Sequence, residues 1–125
     1  MNDLGLVSYQ RGSDAYVLDV YGLASPEVFR ATDRDSEWLD DIVARHGVHL
    51  AMLYPEWFDV PETWAPLAEM CRREQIVITG MPCVTFYSTS AKTAEGDRAD
   101  VARFAATVPS SVSMTVYPAN YREDQ

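Results

Sequence analysis

The sequence predicts a single α/β domain: a mixed, mostly parallel sheet of about five strands, a usual sheet size, flanked by two or more helices. Three observations carry this. The stretch Trp38–Val43 sets apolar residues at helical spacing, and Gly47 follows it. The run Val48–Tyr54 that comes next is almost wholly apolar, with His49 its one polar residue, which suits a strand covered on both faces. A β-type run, Tyr16–Val20, lies upstream. Helix, glycine and strand therefore read as the second half of a right-handed β-α-β crossover, with Tyr16–Val20 and Val48–Leu53 as parallel neighbours.

In chain order, Leu4–Tyr9 and Tyr16–Val20 are short β-type runs joined by the turn residues Arg11-Gly12-Ser13-Asp14. Ser25-Pro26-Glu27 is a helix start: Ser as N-cap, Pro at the first helical position and an acid in the first turn. That helix ends near Ala31. Asp35 or Ser36 opens the next, with Trp38, Leu39, Ile42 and Val43 on one face and Glu37, Asp40, Asp41 and Arg45 facing out. Gly47 closes it as a C-terminal cap. The stretch PEWFDVPETWAP, Pro55–Pro66, reads as a surface loop with one helical turn. Leu67–Cys71 fits a strand or a helix, the strand being the better reading. Val77–Thr79 and Val84–Tyr87 read as strands around Gly80-Met81-Pro82. Glu95–Val108 is an amphipathic helix with Val101, Phe104, Ala105 and Val108 on one face, broken by Pro109-Ser110-Ser111. Val112–Tyr117 alternates as a last strand. Residues 1–117 form the domain and 118–125 a polar tail.

Nineteen acids against ten bases give a net charge of −9. Lys92 is the single lysine and Arg72-Arg73 the single basic doublet, followed at once by Glu74. That balance excludes a nucleic-acid partner, which needs clustered positive charge. No apolar run approaches the roughly 18 residues of a membrane span. Met1-Asn2-Asp3-Leu4 has no basic and then apolar segment of a secretory leader, so the chain expressed alone reads as cytoplasmic. Cys71 and Cys83 have the spacing of neither a redox pair nor a zinc knuckle. They read as buried thiols or, outside the cytoplasm, as a pair on adjacent strands.

The candidate ligand-binding residues are Asp19, Tyr21, Tyr54 and Trp57. Asp19 and Tyr21 are expected at the C-terminal end of a parallel strand, where open α/β sheets collect ligands. The plainer reading of Asp19 is a carboxylate that accepts backbone N–H bonds from its own turn. Gly22 starts no phosphate loop: GLASPE lacks the further glycines of a dinucleotide fingerprint and the lysine of a P-loop. His46 precedes a capping glycine and His49 lies in a strand, so they do not converge on one metal. No serine sits in an elbow motif, and Asp33, Asp35, Asp40 and Asp41 read as caps and solvated faces. The expectation is no catalytic residue, no metal and no cofactor. Trp57 and Trp64, with Tyr54 and Phe58, concentrate aromatic surface on one loop, as a cover for the core or as a contact platform.

Four stretches carry a resemblance: NDLGLVSY at Asn2–Tyr9, YVLDVYGLASPEVF at Tyr16–Phe29, RHGVHLAMLYPEWF at Arg45–Phe58 and VTFYST at Val84–Thr89. Their order is similar to the C-terminal soluble region of bacterial polytopic membrane glycosyltransferases of the dolichyl-phosphate-mannose–protein mannosyltransferase type. Asn2-Asp3-Leu4-Gly5 and Asp19-Val20-Tyr21-Gly22-Leu23 match that family's N-D-x-G and D-x-x-G-L turns. The resemblance implies a non-catalytic accessory domain on the extracytoplasmic face. Its partners would be the membrane part of a parent enzyme, or a separate membrane subunit, and a glycan or lipid-linked sugar. The family's catalytic acids lie in a membrane part that this chain lacks, so none carries over. The resemblance also implies that Met1 starts within a domain, leaving an N-terminal sheet edge open to self-association. Two other function classes remain: a small stand-alone cytoplasmic α/β enzyme or ligand-binding protein, and an interaction module that docks through its aromatic loop.

Overall fold

The computed structural model describes residues 16–74 and 83–121. The elements are α1 (Pro26–Arg30), α2 (Ser36–Arg45), β1 (Leu50–Leu53), a 3-10 turn (Pro55–Trp57), β2 (Ala65–Arg72), β3 (Cys83–Ser88), α3 (Ala94–Ala105) and β4 (Val112–Val116). Among the described residues the strands form one sheet in the order β1-β3-β2-β4. Every neighbouring pair in it is antiparallel.

This corrects the expected mostly parallel sheet of about five strands. Strand β1 pairs with β3, Leu50 opposite Ser88 and Leu53 opposite Thr85. It is not a parallel neighbour of Tyr16–Val20, which makes no strand. Burial of Leu18 and Val20 gave that segment its β-like pattern: both pack into the core without a ladder. Apolar spacing reports which side chains are covered, and it does not report the direction of a pairing partner. The segments Leu4–Tyr9 and Val77–Thr79, and the N-terminal edge, lie outside the described residues.

The other elements follow local chemistry. Helix α1 has Pro26 at its first position and Glu27 in its first turn, but the Ser25 side chain makes no cap bond. Helix α2 is capped by Asp35, whose carboxylate accepts from Trp38 N at 2.9 Å. The chain leaves α2 through Gly47 at φ +63°, a left-handed turn that glycine adopts without a Cβ penalty. Leu67–Cys71 falls within β2, with a register irregularity between Pro66 and Ala68. The chain passes from β3 through α3 to β4, and β2 lies between those two strands in the sheet.

Successive residues of a strand face opposite sides, and each side carries its own core. Ala51, Leu53 and Tyr87 pack with Val28 of α1, with Leu39, Ile42 and Val43 of α2, and with Trp64. Ala68, Val84 and Phe86 pack with Val101 of α3, with Met52, Met70, Met114 and Val116 beside them. Trp64 is buried, and its indole N–H donates to Asp40 at 2.7 Å. Because Leu39 is 1 % exposed and Ile42 fully buried, truncating either leaves a cavity. Leu39→Ala is expected to cost about 3 kcal/mol in urea unfolding. Phe104→Ala, at a ring 45 % exposed, should cost under about 1.5 kcal/mol.

Candidate functional site

Between Tyr16 and Ser25 the chain has neither helix nor strand, so its backbone donors need other acceptors. The carboxylate of Asp19 supplies them. Its Oδ1 accepts from Tyr21 N at 3.0 Å and Gly22 N at 3.2 Å, and its Oδ2 accepts from Ala24 N at 2.7 Å. Asp19 is 2 % exposed. Burial works to raise its carboxyl, but the donors from Ala24, Gly22 and Tyr21 together outweigh that and hold it below its ordinary value. Asp19 is therefore a turn-forming carboxylate. The expected position at the C-terminal end of a parallel strand is corrected.

Gly22 takes φ +99°, and a Cβ there would come within 3.2 Å of Phe29 N and of the Val28 side chain. The turn thus packs directly onto α1. It directs Val20 into the core, at 6 % exposed, and Tyr21 outward, at 46 %.

Tyr21 meets the loop after β1. Its ring centroid lies 6.0 Å from that of Trp57 at an interplanar angle of 44°, and Tyr54 lies 4.9 Å from Trp57 at 38°. Trp57 is 43 % exposed. The structure thus brings Tyr21, Tyr54 and Trp57 into one aromatic corner, with Asp19 as the support beneath Tyr21. Arg34 Nη1 donates to Tyr21 O at 3.0 Å, which sets a guanidinium at the rim. Glu56, next to Trp57, and Asp59 are exposed on the same loop, and Asp59 accepts from Ser36 N at 3.1 Å. Leu23 and Phe29, 82 % and 73 % exposed, lie on the two segments that meet at Gly22. Trp64 takes no part in the corner, since it is buried against Tyr87 at 6.3 Å.

A second polar cluster was not legible in the sequence. Asp97, 4 % exposed, accepts from Ser88 Oγ at 2.6 Å and pairs with His49 Nδ1 at 2.8 Å. A serine, a histidine and an aspartate meet here, but in the wrong order for nucleophilic catalysis. The carboxylate, not the imidazole, contacts the hydroxyl, and Ser88 is fully buried. The cluster ties the start of β1 and the end of β3 to the first turn of α3. The three residues come from separate elements, and no sequence pattern joins them.

On the surface, Glu27 pairs with Arg45 and with His46 Nε2 at 2.9 Å, and Arg45 Nε reaches Asp41 at 2.8 Å. The Tyr16 ring stacks on His46 at 5.3 Å. Hydrogen bonds from His46, then from Arg45, hold Glu27 below its ordinary value. His46 and His49 thus serve separate carboxylates, Glu27 and Asp97. Cys71 and Cys83 are disulfide-bonded as direct partners across β2 and β3. This is the cross-strand alternative left open by the sequence.

The family model described as "Domain of unknown function (DUF8728)" matches residues 1–87, more than half of the chain, and the chain belongs to this family. The match covers the aromatic corner and both cysteines. No curated protein and no solved structure matches the chain.

Asp19 and Glu27 both titrate lower in the folded chain than unfolded. The stability they contribute is complete above the unfolded carboxyl value of about 4 and is lost as pH falls through the folded values. Asp19→Ala, which leaves up to three N–H groups without their acceptor, is expected to cost about 3 kcal/mol at pH 7. It should also flatten the loss of stability below about pH 4. Urea unfolding of both proteins between pH 7 and the acid limb measures the two effects.

Proposed function

We propose that the chain is a non-catalytic binding module whose contact surface is the Tyr21–Tyr54–Trp57 corner, and that it takes a glycan. The observation that carries this reading is that rings from two distant segments come together at a surface where two of them stay nearly half exposed. Aromatic rings left in water cost solubility unless they pack or bind. Ring faces accept the C–H surfaces of a sugar, and Arg34, Glu56 and Asp59 around them supply hydrogen-bond partners for hydroxyl groups. The tight backbone cradle at Asp19 supports the reading because a contact surface needs rings held in one place.

The resemblance to the soluble region of membrane glycosyltransferases supplies a biological setting: an accessory domain that meets acceptor or lipid-linked sugar beside a membrane-embedded enzyme. Its support is the order of the four sequence stretches alone. Among the described residues, no helix is long and apolar enough to cross a membrane, so in that setting a membrane part would come from elsewhere. A second reading, docking of a protein partner, is favoured by the exposed Leu23 and Phe29 beside the corner, because a broad apolar surface suits a protein interface better than a sugar.

Saturation-transfer NMR with neutral oligosaccharides tests the first reading. Transfer to sugar protons is expected with the wild-type chain. Trp57→Ala should abolish it while changing stability by less than about 1.5 kcal/mol, the scale of an exposed ring contact. No transfer from any oligosaccharide would overturn the glycan reading. Transfer that survives Trp57→Ala would move the site elsewhere.

A further inference from the structure

We infer that Cys71, Cys83 and Glu69 form a redox-gated site for a thiophilic divalent cation such as zinc, closed while the two sulfurs are bonded and opened by their reduction. The donor atoms of these three residues lie within 4.8 Å of one another. The geometry follows from the sheet. Cys71 and Cys83 are Cα partners in the β2–β3 pair. Glu69 stands two residues before Cys71 on β2, and so points to the same face.

That face is not the one that α3 covers. Ser113 and Thr115 of β4 stand opposite Cys71 and Glu69 and are small and polar. All three candidate ligands are partly exposed, so an ion can arrive from solvent. Glu69 makes no hydrogen bond or ion pair from its carboxylate among the described residues. It is a half-buried anion beside two sulfurs, with no cation shown against it.

The chemistry balances simply. The disulfide accepts two electrons and becomes two thiols: two reductant thiols supply the electrons and protons and end as a disulfide, or a phosphine supplies the electrons while water gives the two protons and leaves its oxygen on the phosphine. Each thiol then gives its proton to solvent as the cation binds. Two thiolates and one carboxylate make three ligands, with water in a fourth position. With metal–sulfur bonds of about 2.3 Å, a tetrahedral site sets its sulfurs about 3.8 Å apart. Partners already opposed across a strand pair reach that separation with side-chain rotation alone. Two soft thiolates select zinc over calcium or magnesium. Exchange with a small-molecule disulfide, which takes up the two electrons and leaves as two thiols, would re-form the Cys71–Cys83 bond and expel the ion, since a disulfide sulfur is no thiolate. This site is independent of the aromatic corner and its ligand.

The test uses the full chain, reduced with a phosphine under nitrogen, and cobalt(II) as the probe. Thiolate-to-cobalt charge-transfer absorption should grow to one ion per chain and be displaced by zinc. The oxidised chain should show none. Cys83→Ser should lose the absorption. Glu69→Gln should retain it but bind cobalt at least about tenfold more weakly, since losing a direct anionic ligand costs no less than the roughly tenfold lost with a carboxylate that only orients one. Circular dichroism of each reduced sample reports whether the fold persists. A folded reduced chain with no absorption overturns the inference. So does absorption that is indifferent to Glu69→Gln, because an unfolded dithiol would behave in that way. A reduced chain that unfolds, and does not regain its fold with zinc, overturns it too.

Discussion

A backbone turn with no ladder to join gains order when one side chain gathers its N–H groups, and here the buried Asp19 carboxylate is the acceptor for three of them. Much else depends on that arrangement. It lets the chain reverse within a few residues, puts Val20 into the core and seats Gly22 against α1. It also aims Tyr21 at Trp57. A side chain without a carboxylate at position 19 would leave the turn unsupported and the corner without one of its rings. The acid that resembles a ligand-binding residue in sequence does structural work, and the rings it supports form the exposed surface.

The sheet provides the rigid frame for that corner. Interior strand β3 sends Tyr87 to one core and Phe86 to the other, so both layers are anchored to one strand. Helices α1 and α2 cover the β1 end of one face, and α3 covers the opposite face. The remaining part of the first face carries Glu69, Thr115, Ser113 and the cysteine pair. The aromatic corner, where a loop meets a turn, and this polar sheet face, against which none of the described helices packs, are thus two different places.

The elements with strong local signals were legible. Pro26 and Glu27 mark α1, Asp35 and Gly47 bound α2, and the Val112–Val116 alternation marks β4. Strand direction was not legible, because it depends on which distant segment pairs with which. The parallel reading rested on Tyr16–Val20 being a strand, and burial of Leu18 and Val20 imitates one. The same limit left the Cys71–Cys83 pairing as one of two alternatives, because the register of β2 against β3 is set by their pairing and not by either strand alone. A reversal at Gly80-Met81-Pro82 would set Cys83 opposite Thr79, whereas the observed register, Cys71 opposite Cys83 and Met70 opposite Val84, is centred on position 77. The Ser88–Asp97–His49 cluster had no local signal at all, since it is made by packing α3 on the sheet. Tyr21, Tyr54 and Trp57 were candidates on the premise of a shared strand edge. They do lie together, but the Asp19 turn joins them.

The central claim is that the Asp19 cradle holds Tyr21 against Trp57. Amide hydrogen exchange together with ring-to-ring nuclear Overhauser contacts, in the wild-type chain and in Asp19→Ala, tests it most directly. The account predicts slow exchange at Tyr21, Gly22 and Ala24 and a Tyr21–Trp57 contact in the wild type. Both should be lost in the variant while amides of β2 and β3 stay protected. A Tyr21–Trp57 contact that persists in Asp19→Ala would contradict the claim, because the corner would then form without the carboxylate.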